Sequence, residues 1–168
     1  DSRRSRTIRE CRMLSFVRGL GVPTPAVYSI DLLNYSITMD YIKGSQLKSI
    51  VDEKPLNYSE KLFEKFGKLI ALMHKGGVVH GDPTTSNVIV DDSDKIWLVD
   101  FGLAEWNADV EMKGVDLHLI RRALETTHWA HQDELLERIL KGYALTARED
   151  AEEAISRMEE IRERGRYH

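Results

Sequence analysis

The 168-residue chain has one cysteine, Cys11, which excludes an internal disulfide framework and fits a reducing compartment. No run approaches the roughly 18 apolar residues of a membrane span, and no signal-peptide pattern opens the chain. A cytoplasmic protein that does not enter a membrane is expected. Charge of one sign is also lacking: a net charge of −4 gives no global pull toward nucleic acid or anionic lipid. There is no internal repeat and no low-complexity linker, which excludes a solenoid or a string of modules. The length suits one domain, or one large lobe with part of another. The first residue is Asp1 rather than Met, which fits a fragment or numbering from a first ordered residue.

What is present divides into helices and two small groups of strands. Ile8, Cys11 and Leu14 recur at helical spacing, so residues 5–20 read as a helix ended by Gly19 and Gly21. Pro23 and Pro25 force an extended stretch, and residues 26–31 and 36–42 read as strands about a turn near Asn34. Residues 43–45 read as a short crossing and 46–53 as a brief helix. Asn57 or Ser59 can cap a longer helix whose buried stripe is Leu62, Phe63, Phe66, Leu69, Ile70 and Met73, with Gly76 and Gly77 as its stop. Val88–Val90 and Ile96–Val99 read as a hairpin about Asp91–Asp94. Three helices follow, marked by Met112, Val115, Leu119 and Ile120, by Leu135 and Ile139, and by Ala151, Ala154 and Met158. The expected class is α+β, with strands in two small sheets.

Two motifs carry chemistry: His80-Gly81-Asp82 with Asn87, and Asp100-Phe101-Gly102. An Asp able to accept a hydroxyl proton, with an Asn and a second Asp able to hold Mg²⁺, is the apparatus for transferring a phosphoryl group from ATP. The hairpin explains the spacing, since it runs out after Asn87 and returns before Asp100, bringing both candidate ligands to one end. Turn chemistry alone also accounts for an Asp, a Pro and an Asn here, but not for two halves joined by a hairpin of this length. No glycine-rich phosphate loop and no V-A-I-K-like lysine lies upstream.

Further candidates surround these motifs. Glu10 shares a helix face with Met13, Leu14 and Val17; it either pairs with a phosphate-binding lysine or forms a local ion pair with Arg6. Met39 either walls an adenine pocket, with backbone groups near Asp40 and Ile42 reading the base, or is an ordinary core residue. Asp116, in Val115-Asp116-Leu117, is either solvated or a buried anchor for backbone amides of the Asp82 loop. His80 is expected to support that loop from beneath. His118, His128, His131 and Cys11 lack metal-ligand spacing, so no zinc site is expected. Gly165 is expected to end the last helix and free a basic tail bearing Arg162, Arg164 and Arg166, either inert or docked on an anionic partner.

The order of motifs resembles the small atypical kinase of the KEOPS complex, the PRPK-like family. The resemblance rests on the stretch from His80 to Asn87, on Asp100 to Leu103, and on Arg6-Thr7 leading to Glu10. Residues 21–25, Met39 to Ile42, Val115 to Leu117 and the ending from Arg162 to Tyr167 extend it across nearly the whole chain. It implies a minimal protein-kinase-like fold: an incomplete N-lobe over 1–42, with an αC-like helix and a hairpin, and a reduced helical C-lobe over 43–168. It implies Asp82 as catalytic base, Asn87 and Asp100 as metal ligands, and Glu10 as the helix glutamate. ATP with Mg²⁺, or Mn²⁺, is the implied cofactor. The implied activity is that of an atypical Ser/Thr protein kinase working mainly as an ATPase. The implied partners are the transferase subunit that makes threonylcarbamoyladenosine on tRNA, a small regulatory subunit, and tRNA through the complex. Thr84 stands where many kinases have lysine, and no Ala-Pro-Glu follows Gly102. Two other readings share His-Gly-Asp-x4-Asn or its remnant: a small-molecule kinase of the aminoglycoside or choline type, and a non-catalytic nucleotide-binding subunit.

Overall fold

A computed structural model describes residues 2–166. The chain opens with helix α1 (Ser2–Gly19), which buries Met13, Leu14 and Val17. Gly21, at φ 90°, turns the chain off the helix end as its N–H donates to the Arg18 carbonyl at 3.1 Å. Strands β1 (Val27–Asp31) and β2 (Ser36–Met39) form an antiparallel pair with Ile30 opposite Ile37. Asp31 sets their turn by accepting the backbone N–H groups of Leu33 and Asn34 at 3.0 and 3.2 Å.

The expected crossing at 43–45 is instead a strand, β3 (Gly44–Gln46). It pairs with β4 (Val88–Asp91), and β4 pairs with β5 (Ile96–Leu98), giving the order β3-β4-β5. Three residues carry too little alternation to signal a strand. What admits them is Gly44, where any Cβ would strike the Val90 carbonyl across the ladder.

Helix α2 (Leu47–Glu53) leads into α3 (Leu56–Lys75), whose buried face includes Leu62, Phe63, Phe66 and Ile70. Neither Asn57 nor Ser59 caps α3. It begins one residue after Pro55, whose fixed φ of −59° launches the helix without a side-chain cap. Helices α4 (Val110–Thr127), α5 (Gln132–Ala147) and α6 (Ala151–Arg166) complete the fold. Asp109 caps α4 by accepting the Met112 N–H at 2.8 Å. Its inward face is Asp116, Leu117, Ile120 and Leu124, rotated from the expected stripe, so Val115 is exposed.

α3 and α5 touch backbone to backbone: a Cβ on Gly67 would meet the Ile139 carbonyl, and one on Gly142 the Glu64 carbonyl. α6 lies on α4, with Gly114 beneath the Arg157 side chain. Gly165 does not stop α6, which runs on to Arg166. Its arginines are paired rather than free: Arg164 with Glu111 at 2.8 Å, Arg162 with Glu125 at 3.7 Å and Arg166 with Glu163 at 3.2 Å. Tyr167, the last residue of the expected tail motif, lies outside the described residues. The architecture is α+β with two small sheets, a reduced kinase-like fold.

Candidate active site

The loop around Asp82 hangs from buried groups. Val79 exchanges backbone hydrogen bonds with Glu105 at 3.1 Å, which fixes where the chain enters. His80 follows, 1% exposed. Its Nε2–H donates to the Val99 carbonyl at 3.0 Å and its Nδ1 accepts the Asp82 N–H at 3.2 Å, which fixes the orientation of the ring. His80 thereby ties the Asp82 loop to the strand end before Asp100. Gly81, at φ 87°, packs so tightly on Leu103 that a Cβ would strike its carbonyl.

Asp116 of α4 is 1% exposed. Its Oδ2 accepts the His80 N–H at 3.0 Å and its Oδ1 the Gly81 N–H at 2.9 Å. His74, near the end of α3, donates from Nε2 to the same carboxylate at 2.8 Å, while its Nδ1 meets the Tyr143 hydroxyl of α5 at 2.7 Å. Burial alone would raise the Asp116 carboxyl, but the hydrogen bond and charge of His74 and the Gly81 N–H together hold it below the usual carboxylate range. Burial and the Asp116 charge push the Tyr143 phenol up, so it stays protonated. His74 and Tyr143 escape a reading of the sequence because each falls within an apolar helix stripe, where a polar residue gives no sign of its partner.

Asn87 closes the loop. Its Nδ2 donates to the Asp82 backbone carbonyl at 2.9 Å and to Asp82 Oδ2 at 3.1 Å. Both bonds use the amide nitrogen, which leaves Oδ1 uncommitted among the described residues. The Asn87 carbonyl accepts the Val99 N–H at 3.0 Å, so the hairpin brings Asn87 and the Val99–Asp100 step together. Asp100 is exposed and sits at φ 59°, an unfavourable region for a residue with a Cβ. Phe101 is buried and lies against the His80 ring, 4.9 Å between centroids.

Glu10, Met39, Asp40, Ile42 and Asp100 line one cavity of about 240 Å³. It adjoins a wider cleft of about 740 Å³ that shares Glu10 and Met39 and is lined by Arg6, Arg9 and Phe101. Partial burial raises the Glu10 carboxyl and the nearby Asp100 charge raises it further. Met39 is half-buried against the core as well as lining the cavity. The Asp40 N–H is spent on the Ala26 carbonyl at 2.9 Å, and its carboxylate accepts the Ala26 N–H and the Tyr28 hydroxyl. The Asp40 N–H is therefore not available to a ligand. Arg162, Arg164 and Arg166 pair with glutamates of α4 and α6 and with no residue of the loop. Among the described residues no cluster of His, Cys, Asp and Glu is arranged to hold a metal unaided, and no helix is long and apolar enough to cross a membrane.

A profile of the RIO domain matches residues 2–108. The chain is 42% identical over 166 residues to the KEOPS complex subunit Bud32 of Pyrococcus abyssi, an alignment covering 98% of this chain and 75% of that protein. It is 38% identical over 162 residues to a probable bifunctional tRNA threonylcarbamoyladenosine biosynthesis protein of Methanococcus maripaludis, and 37% over 165 residues to one from Methanosarcina acetivorans. The chain spans 28% of the length of each of these two.

Proposed function

The chain belongs to the RIO-domain family, in its KEOPS Bud32 branch, and from that membership we propose that it transfers the terminal phosphoryl group of ATP within a tRNA threonylcarbamoyladenosine-forming complex. The observation that carries the reading is the bonding of Asn87 Nδ2 to Asp82, which frees the Asn87 amide oxygen beside the strand end that bears Asp100.

The donors fit a hard cation: one amide oxygen and one carboxylate, with no sulfur or imidazole competing. Mg²⁺ or Mn²⁺ held by Asn87 and Asp100 together with phosphate oxygens would offset the charge on the triphosphate. The cavity bounded by Met39 and Ile42 suits the adenine, with the Asp40 carbonyl as a base-edge acceptor. Asp82 orients the attacking hydroxyl, of water or of a Ser/Thr side chain, and accepts its proton late in the reaction. His80 and Asp116 keep that carboxylate in position, and Glu10 faces the phosphate side of the cavity.

In this reading residues 1–42 are the partial N-lobe and 43–168 the C-lobe. The pairing of β3 with β4 supports the division, since the first strand after it joins the second unit. The relatives' names speak of a KEOPS complex and of tRNA threonylcarbamoyladenosine biosynthesis; the partners proposed within such a complex, from the family resemblance, are the transferase subunit, a small regulatory subunit and tRNA reached through the complex, in the cytoplasm. The test is Mg²⁺-dependent ATP hydrolysis by the complete protein, with and without the transferase subunit. Asp82→Ala and Asp100→Ala are each expected to lower turnover at least about 100-fold. Turnover unchanged in both variants sinks the assignment, and tight ATP binding without turnover in the wild type favours a binding subunit instead.

A further inference from the structure

The geometry points to His128 as a positioning residue that clamps the rear of the Asp82–Asn87 loop through Thr85. His128 stands at the C-terminal cap of α4, its N–H donating to the Leu124 carbonyl at 2.9 Å. It is 4% exposed, as is Thr85. The two meet through His128 Nε2 and Thr85 Oγ1 at 2.8 Å. Thr85 begins the single 3-10 turn, Thr85–Asn87, that delivers the Asn87 side chain back to Asp82. A rotation at Thr85 therefore moves Asn87.

The other ring nitrogen indicates which way the bond runs. Nδ1 is buried and has no hydrogen-bond partner. A bare lone pair is tolerated in that setting more readily than an unmatched N–H, so the proton resides on Nε2 and His128 donates to Thr85. Burial keeps the ring neutral, favouring this form; Lys48 acts in the same sense and Asp52 opposes it, both on α2. The edge of Phe63 packs on the imidazole at 6.5 Å between centroids, so the ring is held from α3 as well. One helix thus grips the loop twice: Asp116 holds its entry and His128 its exit.

This role rests on the phosphoryl-transfer reading for its catalytic readout, but not for its structural one. Two variants keep volume and remove the bond: His128→Leu and Thr85→Val. Two keep a polar partner: His128→Gln and Thr85→Ser. Amide hydrogen exchange of peptides covering 82–87 is measured in the complete protein, together with steady-state ATP hydrolysis. His128→Leu and Thr85→Val are expected to exchange about tenfold faster over that loop while α3 and α5 stay protected. Their kcat is expected to fall about tenfold with KM for ATP changed less than about twofold, because the loop positions the reacting groups rather than the adenine. The double variant should lose no more than the worse single one, and Thr85→Ser should recover to within about threefold of wild type. Unchanged exchange in both bond-removing variants overturns the clamp, as does faster exchange with an unaltered kcat. If the wild type does not hydrolyse ATP the phosphoryl-transfer reading fails, and the exchange data still decide whether Thr85 is held by His128.

Discussion

Asp116→Asn is the sharpest probe of what holds the loop. The carboxylate accepts three hydrogen bonds, from His80 N–H at 3.0 Å, Gly81 N–H at 2.9 Å and His74 Nε2–H at 2.8 Å. Asparagine keeps the shape and one acceptor oxygen. Seated to serve His80 and His74, it turns an NH₂ toward the Gly81 N–H, and a buried donor left facing a donor costs about 1–3 kcal/mol. The two surviving bonds also lose their charge assistance, roughly half their strength. The sum is a loss of about 2–4 kcal/mol, a large share of the ~5–15 kcal/mol that holds a domain together. Urea unfolding reads this as a lower midpoint at an unchanged slope; with a slope near 2 kcal/mol per molar, the shift is about 1–2 M. Because the folded carboxyl lies below its unfolded value, its contribution is fully present above that value, about 3.9, and is lost only as pH falls through the folded one. The gap between wild type and variant should therefore not narrow as pH falls from 7 to about 5. An Asp116→Asn protein within about 0.5 kcal/mol of wild type would refute the argument, as would a gap already closing between about pH 7 and 5.

Two further outcomes are expected. Gly142→Ala presses a methyl into the Glu64 carbonyl where neither backbone can yield, so it should destabilise by about 3 kcal/mol or more in the same urea assay, whereas Gly19→Ala, with open space around it, should not. Glu10→Gln should raise Tm at pH 7 and leave it unchanged near pH 4. Burial and Asp100 raise the Glu10 carboxyl on folding, so the penalty is absent below the unfolded value of about 4.3 and grows as pH rises through the folded one; a lower Tm at pH 7 contradicts it.

What could be read without coordinates was what local spacing encodes. The α3 stripe of Phe63, Phe66 and Ile70 and the β4–β5 hairpin follow from periodicity and turn residues, and both stand in the structure. Strand β3 was not legible, because its three residues, Gly44 included, become a strand only when β4 arrives. Gly67 and Gly142 look like weak points in two helices, yet they are where α3 and α5 meet most closely, which no single helix can show. Gly165 carries the usual sign of a helix end, and α6 passes through it while Arg164 binds Glu111 on α4. Around the candidate site, spacing alone singled out Asp82, Asn87 and Asp100, whereas the buried bonds of His74, Tyr143 and His128 left no mark in it. Each is polar, buried, and defined by a partner more than 40 residues away.

The same helix that grips the loop also receives α6, and the nature of that contact bears on the C-terminal arginines. α6 is seated on α4 by Ala154 and Met158, both buried, and by Arg121, 6% exposed, bonded to Glu159 at 2.6 Å. The outer pairs, Arg164 with Glu111 and Arg162 with Glu125, join exposed or half-exposed side chains. Such pairs add little to stability, because solvent and salt screen them and two long side chains must be ordered to make them. If an anionic partner group were to take Arg162 or Arg164 from its glutamate, α4 would lose little support, and Asp116 and His128 would keep their hold. Arg121 is different: its Nε is buried without a partner, so pulling Glu159 away would leave most of a guanidinium unmatched beneath α6. The division follows depth, with outer arginines exchangeable without cost to the loop and an inner one that is not. A partner that binds the outer arginines therefore has no path to the loop through their loss alone; it would have to shift α6 far enough to disturb Arg121.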